Sequence, residues 1–268
     1  MPSAKQNEKP ERDYALWVVI PDVHIPHEDR RAVNAVEQYI ADEWWDGWVC
    51  LGDLLDCQSI SDFDRDYARR RVTAQTMQEE FDVGNKWLDR HLATVTARNP
   101  DAKKVLISGN HEHRTERYAD RNPEMAGSVE LQRHLRLKER GIQYVDFWGK
   151  GELFRLGKLY LGHGAYTVQN HAAKHVRDYG ANLLYGHVHD IQSHYIRRRG
   201  NNHPIMAQSI GCLCKYDQAY MRGRPTNWIH GFAVVYLFPD GAFQIGQVAI
   251  INGRFVGPTN GKVYKGVA

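Results

Sequence analysis

The stretch Leu16-Trp17-Val18-Val19-Ile20-Pro21-Asp22-Val23-His24 decides how the chain is read. Its first five residues, rich in β-branched and aromatic side chains, predict a buried strand that ends at Pro21 and Asp22. Trp48-Val49-Cys50-Leu51 repeats the pattern and stops at Gly52-Asp53. Lys103-Lys104-Val105-Leu106-Ile107 repeats it again and stops at Ser108-Gly109-Asn110. Helical spacing fills the gaps: Asp29 to Trp45, with Ala32, Val33, Val36 and Ile40 in register and Asp29 as N-cap, and Thr73 to Ala97. This alternation predicts an α/β layered fold whose functional groups collect in loops beyond the carboxyl ends of the strands.

From Gly141 onward the runs are short. Strands are expected at Gln143–Asp146, Glu152–Leu156, Leu159–Leu161, Leu183–Tyr185 and His194–Arg197, with a helix over Val168–Tyr179. Phe232–Leu237 and Ala242–Ile250, joined at Pro239-Asp240-Gly241, read as a hairpin. With 268 residues, 42% of them hydrophobic, the chain can bury one sizeable core. Residues 15–268 are therefore read as a single domain behind a disordered leader, 1–14.

Thirty-five basic against 32 acidic residues give a net charge of +3, too even a balance to imply nucleic acid by itself. Cys50, Cys57, Cys212 and Cys214 show no zinc-finger spacing and read as reduced thiols. The first apolar run is too short for a signal peptide or a membrane span, so a cytoplasmic protein without a membrane partner is expected.

Five polar clusters stand in order: Asp22-Val-His24, Gly52-Asp53-Leu-Leu-Asp56, Gly109-Asn110-His111-Glu112, Gly162-His163 and Gly186-His187-Val-His189. In an extended chain residues two apart share a face, so Asp22 with His24, and His187 with His189, can each aim two donors one way. Carboxylate, imidazole and amide oxygen form a mixed donor set suited to Mn²⁺, Fe²⁺ or Zn²⁺. Seven of these side chains, Asp22, His24, Asp53, Asn110, His163, His187 and His189, exceed what one tetrahedral ion takes, which argues for two ions. Manganese is the first expectation, with iron, zinc or nickel as alternatives.

The order and wording of the clusters resemble the calcineurin-like metallophosphoesterase superfamily, in its phage and bacterial form, whose motifs read DxH, GDxxD, GNHE or GNHD, GH and GHxH. The resemblance runs from Asp22 to His189. It implies two mixed β-sheets packed as a sandwich with flanking helices. It assigns Asp22, His24 and His189 to one metal, Asn110, His163 and His187 to the other, and Asp53 to both. It makes His111 the acid that protonates the leaving oxygen and Asp56 the carboxylate that orients it, with a metal-held hydroxide attacking phosphorus.

Phosphoprotein phosphatases of the superfamily carry Arg after the second Asp of GDxxD, where this chain has Cys57. Arg114 is the expected phosphate-gripping residue, beside Asn110 as a substrate contact; Arg65 or a neighbour within Asp62–Arg71 is the alternative. GNHE leans toward phosphomonoesterases. The expected function is hydrolysis of small phosphate mono- or diesters. The alternatives are a metal-dependent nuclease, to which Arg69–Arg71 and Arg197–Arg199 could lend phosphate contacts, and a non-catalytic scaffold. Trp228 reads as anchoring its loop onto the core; walling the substrate site with Tyr216 and Tyr220 is the competing reading, and Asn227 or His230 could touch substrate. His27, His113, His171, His175 and His203 are surplus, and His113 shares a face with His111 only if its segment is extended.

Overall fold

The computed structural model describes residues 9–61, 76–197, 199–200, 203–218, 221 and 223–267. Its first sheet has the order β11-β10-β1-β2-β3-β4. Here β1 is Ala15–Ile20, β2 Gly47–Cys50, β3 Lys103–Ile107, β4 Ile142–Val145, β10 Gly231–Leu237 and β11 Phe243–Ala249. Strands β1 to β4 run parallel, while β10 pairs antiparallel with β1 and β11. The second sheet, β5-β6-β7-β9-β8, comprises Phe154–Leu156, Leu159–Gly162, Asn182–Tyr185, Ile205–Ser209 and Ser193–Ile196 in that order. Its β6, β7 and β9 are parallel and its two edges antiparallel. Both sheets are mixed, as the resemblance implied.

Strand alternation assigns each side chain to a layer. Leu16, Val18 and Ile20 of β1, Trp48 and Cys50 of β2, and Phe232 and Val234 of β10 face helices α1 (Arg30–Asp42) and α2 (Met77–Val95). Trp17, Val19, Val49, Val105, Ile107, Ala233 and Val235 face the other way and meet Leu159, Leu161 and Leu184 of the second sheet. Leu183 and Tyr185 point outward from the second sheet onto Val176. Each fully buried large apolar side chain contributes about 1.5–3 kcal/mol, which commits the strands to this register.

Local signals fix the helix ends. Asp29 accepts from the Ala32 amide at 2.9 Å, and Thr76 with Glu79 forms a capping box ahead of Met77. Helix α1 stops at Asp42, short of the expected Trp45, whose buried indole turns back to donate to the Ile40 carbonyl at 2.9 Å. The expected start of α2 at residues 73–75 lies outside the described residues. Other helices differ too: α3 (His113–Arg121) was not anticipated, and α4 (His171–Tyr179) is shorter than Val168–Tyr179. Strand β9 and a C-terminal ribbon, β12 (Arg254–Val256) with β13 (Val263–Lys265), were also not anticipated. The hairpin stands as expected, Gly231 to Leu237 registered against Ala249 to Phe243.

Of the expected leader, residues 1–8 lie outside the described part, whereas Arg12 is anchored to the Trp44 carbonyl and to Asp46 at 2.6 Å. No helix among the described residues is long and apolar enough to cross a membrane.

Candidate metal centre

The loops after β1, β2 and β3 carry Asp22 and His24, Asp53 and Asp56, and Asn110 and His111; those after β6 and β7 carry His163, and His187 and His189. The fold brings all nine together where the carboxyl ends of the parallel strands of both sheets meet. Asp22, His24, Asp53 and His189 form one group whose ligand atoms lie within 4.8 Å of one another, and Asp53, His163 and His187 form a second. Asp53 belongs to both. Its Oδ2 is 3.6 Å from Nε2 of His24 and 3.3 Å from Nε2 of His163. Nε2 of His189 stands 3.1 Å from Nε2 of His24 and 3.4 Å from Oδ1 of Asp22, while the Asn110 amide oxygen is 3.1 Å from Nε2 of His163. Ligand atoms about 2.0–2.2 Å from a common ion stand roughly 3–3.6 Å apart, so this spacing fits cations held between the donors.

Orientation supports the same reading. A metal-binding imidazole needs its far nitrogen held by a partner. Nδ1 of His24 meets Oδ1 of Asp56 at 2.9 Å, Nδ1 of His163 meets the Leu51 carbonyl at 2.8 Å, and Nδ1 of His189 meets the Cys214 sulfur at 3.8 Å. Each ring therefore presents Nε2 to the centre. Asp22 is held by the His187 amide, 2.9 Å from Oδ1.

Burial would raise the Asp53 and Asp56 carboxyls, but the surrounding imidazoles, His111 foremost, hold both well below the usual carboxylate range. Burial, with His111 beside it, lowers His24; burial and then His163 push His187 down to about 3. Both rings are thus neutral donors. Burial also disfavours protonated His163 and His189, yet Asp53 lifts the first to about 9, and Cys214 with Asp22 lifts the second to about 10. In the metal-free protein protons on these two rings balance the buried carboxylates, which is the positive charge a cation would replace.

The backbone reaches this arrangement by a route the sequence did not suggest. Asp22, His24, Asp53, His187 and His189 all have positive φ, between 31° and 71°. The pairs do not converge by extended alternation, as expected, but through left-handed turns that cost of order 1–3 kcal/mol each for residues other than glycine. The glycines of the clusters serve close approach: a Cβ on Gly109 would overlap the Asp53 carboxylate, and one on Gly186 the Asp22 carboxylate.

Glu112 holds the turn that carries Asp53. Fully enclosed, its carboxylate accepts from the amides of Asp53 (2.8 Å), Leu54 (2.7 Å), Leu55 (3.1 Å) and Gly109 (2.8 Å). The last residue of GNHE is spent on the backbone, so its identity says little about monoester preference.

His111 is buried beside the centre. Its Nδ1 is 3.0 Å from Oδ1 of Asp56 and 2.8 Å from the Asp56 carbonyl, and its Nε2 is 3.8 Å from Oδ2 of Asp53. Burial lowers its pKa, Asp53 and Asp56 more than reverse this, and the net direction is upward. Arg114 donates to the Asp56 carbonyl at 2.7 Å and reaches Nε2 of His111 at 3.0 Å, a contact that requires that nitrogen to be unprotonated. The cleft beside it, about 280 Å³, is lined by Ile60, Asn110, Arg114, Arg117, Tyr118, Arg121, Trp148 and His187.

A family model described as calcineurin-like phosphoesterase matches residues 17–208. The chain belongs to that family. Among curated proteins it is 25% identical over 264 residues to the Gene 54 protein of Mycobacterium phage L5, covering 92% of this chain and 98% of that one. Against the Gene 54 protein of Mycobacterium phage D29 it is 26% identical over 254 residues, covering 89% and 94%. Similar solved structures include Vps29 of Entamoeba histolytica complexed with zinc, 13% identical over 93% of this chain and 96% of that one, with a TM-score of 0.45. Vps29 of Cryptosporidium parvum is 11% identical over 88% and 97%, with a TM-score of 0.41.

Several minor expectations change. Trp228 packs its ring edge-on 4.2 Å from that of His189, beside the centre, a contact compatible with either reading of it. His230 is buried, stacked on Tyr216 at 4.0 Å and bonded to the Cys214 carbonyl, so it is structural. His113 begins α3 and pairs with Glu116 at 2.9 Å, turned away from His111. Residues 62–71, with Arg65 and Arg69–Arg71, lie outside the described residues, as do Arg198 and Tyr220. Trp148, unremarked in the sequence, packs 5.2 Å from His187 and 5.8 Å from His163. Its place in the single-turn helix Phe147–Lys150 after β4 becomes legible only once β4 is known to pair with β3.

Proposed function

We propose that this chain hydrolyses phosphate esters with two divalent cations, one held by Asp22, His24, Asp53 and His189, the other by Asp53, Asn110, His163 and His187. The observation that carries the reading is the Asp53 carboxylate set between imidazoles of both groups. Bound there, the cations would acidify water toward neutrality and offset the charge on the phosphoryl oxygens. Manganese is the ion we favour for this nitrogen and oxygen set.

The chain's own residues supply the rest. Asp56 fixes the His111 ring, and the raised pKa of that ring suits it to give a proton to the leaving oxygen. Arg114 is the group to grip a phosphoryl oxygen pair. When phosphate takes its guanidinium, Nε2 of His111 is released to carry the proton.

The test is manganese titration with turnover of p-nitrophenyl phosphate and its bis ester, in the wild type and in Asp53→Asn. The variant should lose both ions together. Loss of a single ion would remove the shared carboxylate from the mechanism, and a wild type that binds no ion and turns over neither ester would make the chain a binding fold instead.

A further inference from the structure

We infer that His171 is a positioning residue for both candidate ions, its ring stapling the two ends of the loop that carries His187 and His189. The inference rests on the two-ion reading above and concerns a residue outside the five polar clusters of the sequence. Tyr185 is the last residue of β7 and Asp190 directly follows His189, so the two bracket Gly186-His187-Val188-His189. From the first position of α4, Nδ1 of the buried His171 meets the Tyr185 hydroxyl at 2.7 Å, and its Nε2 meets Oδ1 of Asp190 at 2.9 Å. The Asp190 carboxylate accepts from Nε2–H, which leaves Nδ1 to accept from the hydroxyl.

The loop needs such a staple. His187 and His189 are left-handed, at φ 71° and 61°, a conformation that persists only where the surroundings over-determine it. Toward the centre the loop is held by the His187 amide on Asp22 and by the His189 carbonyl, which accepts from the Ile229 amide at 2.8 Å. From the helix side His171 bonds to both of its ends, and Ser209 adds a second tie to Asp190, 3.1 Å from Oδ1. The helix is itself registered against this region: the Ala172 amide donates to the Gln192 side chain at 2.9 Å, and Val176 packs on Leu183 and Tyr185. The loop contributes His189 to one ligand group and His187 to the other, so a shift of the loop moves one donor of each. Asp56, by contrast, holds the single ligand His24.

The test is hydrogen exchange of the full metal-free chain together with calorimetric manganese titration, in the wild type, His171→Phe, His171→Gln and His175→Phe. In His171→Phe the amides of residues 186–190 should exchange faster, and both ions should bind about 10-fold more weakly, the lower end of what an outer partner of a metal ligand contributes. His171→Gln, whose amide nitrogen can still donate to Asp190, should fall between that variant and the wild type. His175, one turn along α4, engages the Ala165 amide and the His171 carbonyl with its ring nitrogens. His175→Phe should lower the melting temperature while loop exchange and both affinities stay at the wild-type level, which separates positioning from a general loss of packing. Thermal melts establish that each variant is folded; if His171→Phe is not, the comparison of His171→Gln with the wild type decides. Wild-type loop exchange or wild-type affinity in the His171 variants, weakening of one ion alone, or an equal effect of His175→Phe would each overturn the inference. Ester turnover is scored separately. A wild type that binds both ions and responds to His171→Phe as stated, yet cleaves no ester, sinks only the hydrolase reading, and an active wild type whose ions are indifferent to His171 sinks this inference alone.

Discussion

Oδ1 of Asp56 lies 2.9 Å from Nδ1 of His24, and the same oxygen lies 3.0 Å from Nδ1 of His111. One carboxylate thus orients both a candidate ligand and the candidate acid. Asp56→Asn should therefore weaken metal binding about 10–100-fold, the usual cost of removing such an orienting partner, in addition to slowing turnover. Isothermal titration with manganese measures the first effect. Unchanged affinity would confine Asp56 to His111.

For His111→Gln, metal content should stay at the wild-type level while kcat falls by about 10²–10⁴-fold on an ester with an alkyl leaving group, which needs the proton. With p-nitrophenol, a good leaving group without protonation, the loss should be smaller. Equal losses on both substrates would deny His111 the acid role.

Glu112→Gln replaces two acceptor oxygens, which hold four amides, by one acceptor and one donor. Each buried amide left unpaired costs about 1–3 kcal/mol, and at about 2–4 °C per kcal/mol for a chain near this size the melting temperature should drop by several degrees. Manganese affinity should fall with it, because the Asp53 turn loses its anchor. An unaltered melt would show that the amides find other partners.

Loading the centre should expel protons. In the metal-free protein His163 and His189 have pKa values raised to about 9 and about 10, so both are protonated at pH 7, and an ion can bind Nε2 only after that proton leaves. Affinity must then rise with pH until about pH 9–10. Calorimetry in two buffers of different ionisation enthalpy should report about two protons released near neutrality. No release would mean that both rings are neutral before loading.

The strands that build the centre were legible because each declares itself twice, by an apolar run and by the polar cluster that ends it. The glycines before Asn110 and His187 show their reason only in the structure, where carboxylates pack where a Cβ would stand. What stayed hidden depends on distance in the chain or on weak periodicity. Helix α3 buries only Thr115, so no apolar stripe marks it, although it lines the cleft. Glu112 stands inside a recognised motif, yet its work on the amides of residues 53–55 appears only when β2 and β3 lie side by side. The left-handed conformations of Asp22 and His24 could not be read from the spacing, which extended alternation explained equally well.

Each ligand group draws on both sheets: His189 joins Asp22, His24 and Asp53 across the sandwich, and His163 and His187 join Asp53 and Asn110. The gap those groups span is governed by the apolar layer between the sheets, in which Val19, Leu51, Ile107, Leu161 and Leu184 meet. That layer is in effect a caliper. The side chains at the rim would choose which ion is gripped, while the thickness of packed hydrocarbon beneath them sets how far the donors of one sheet stand from those of the other.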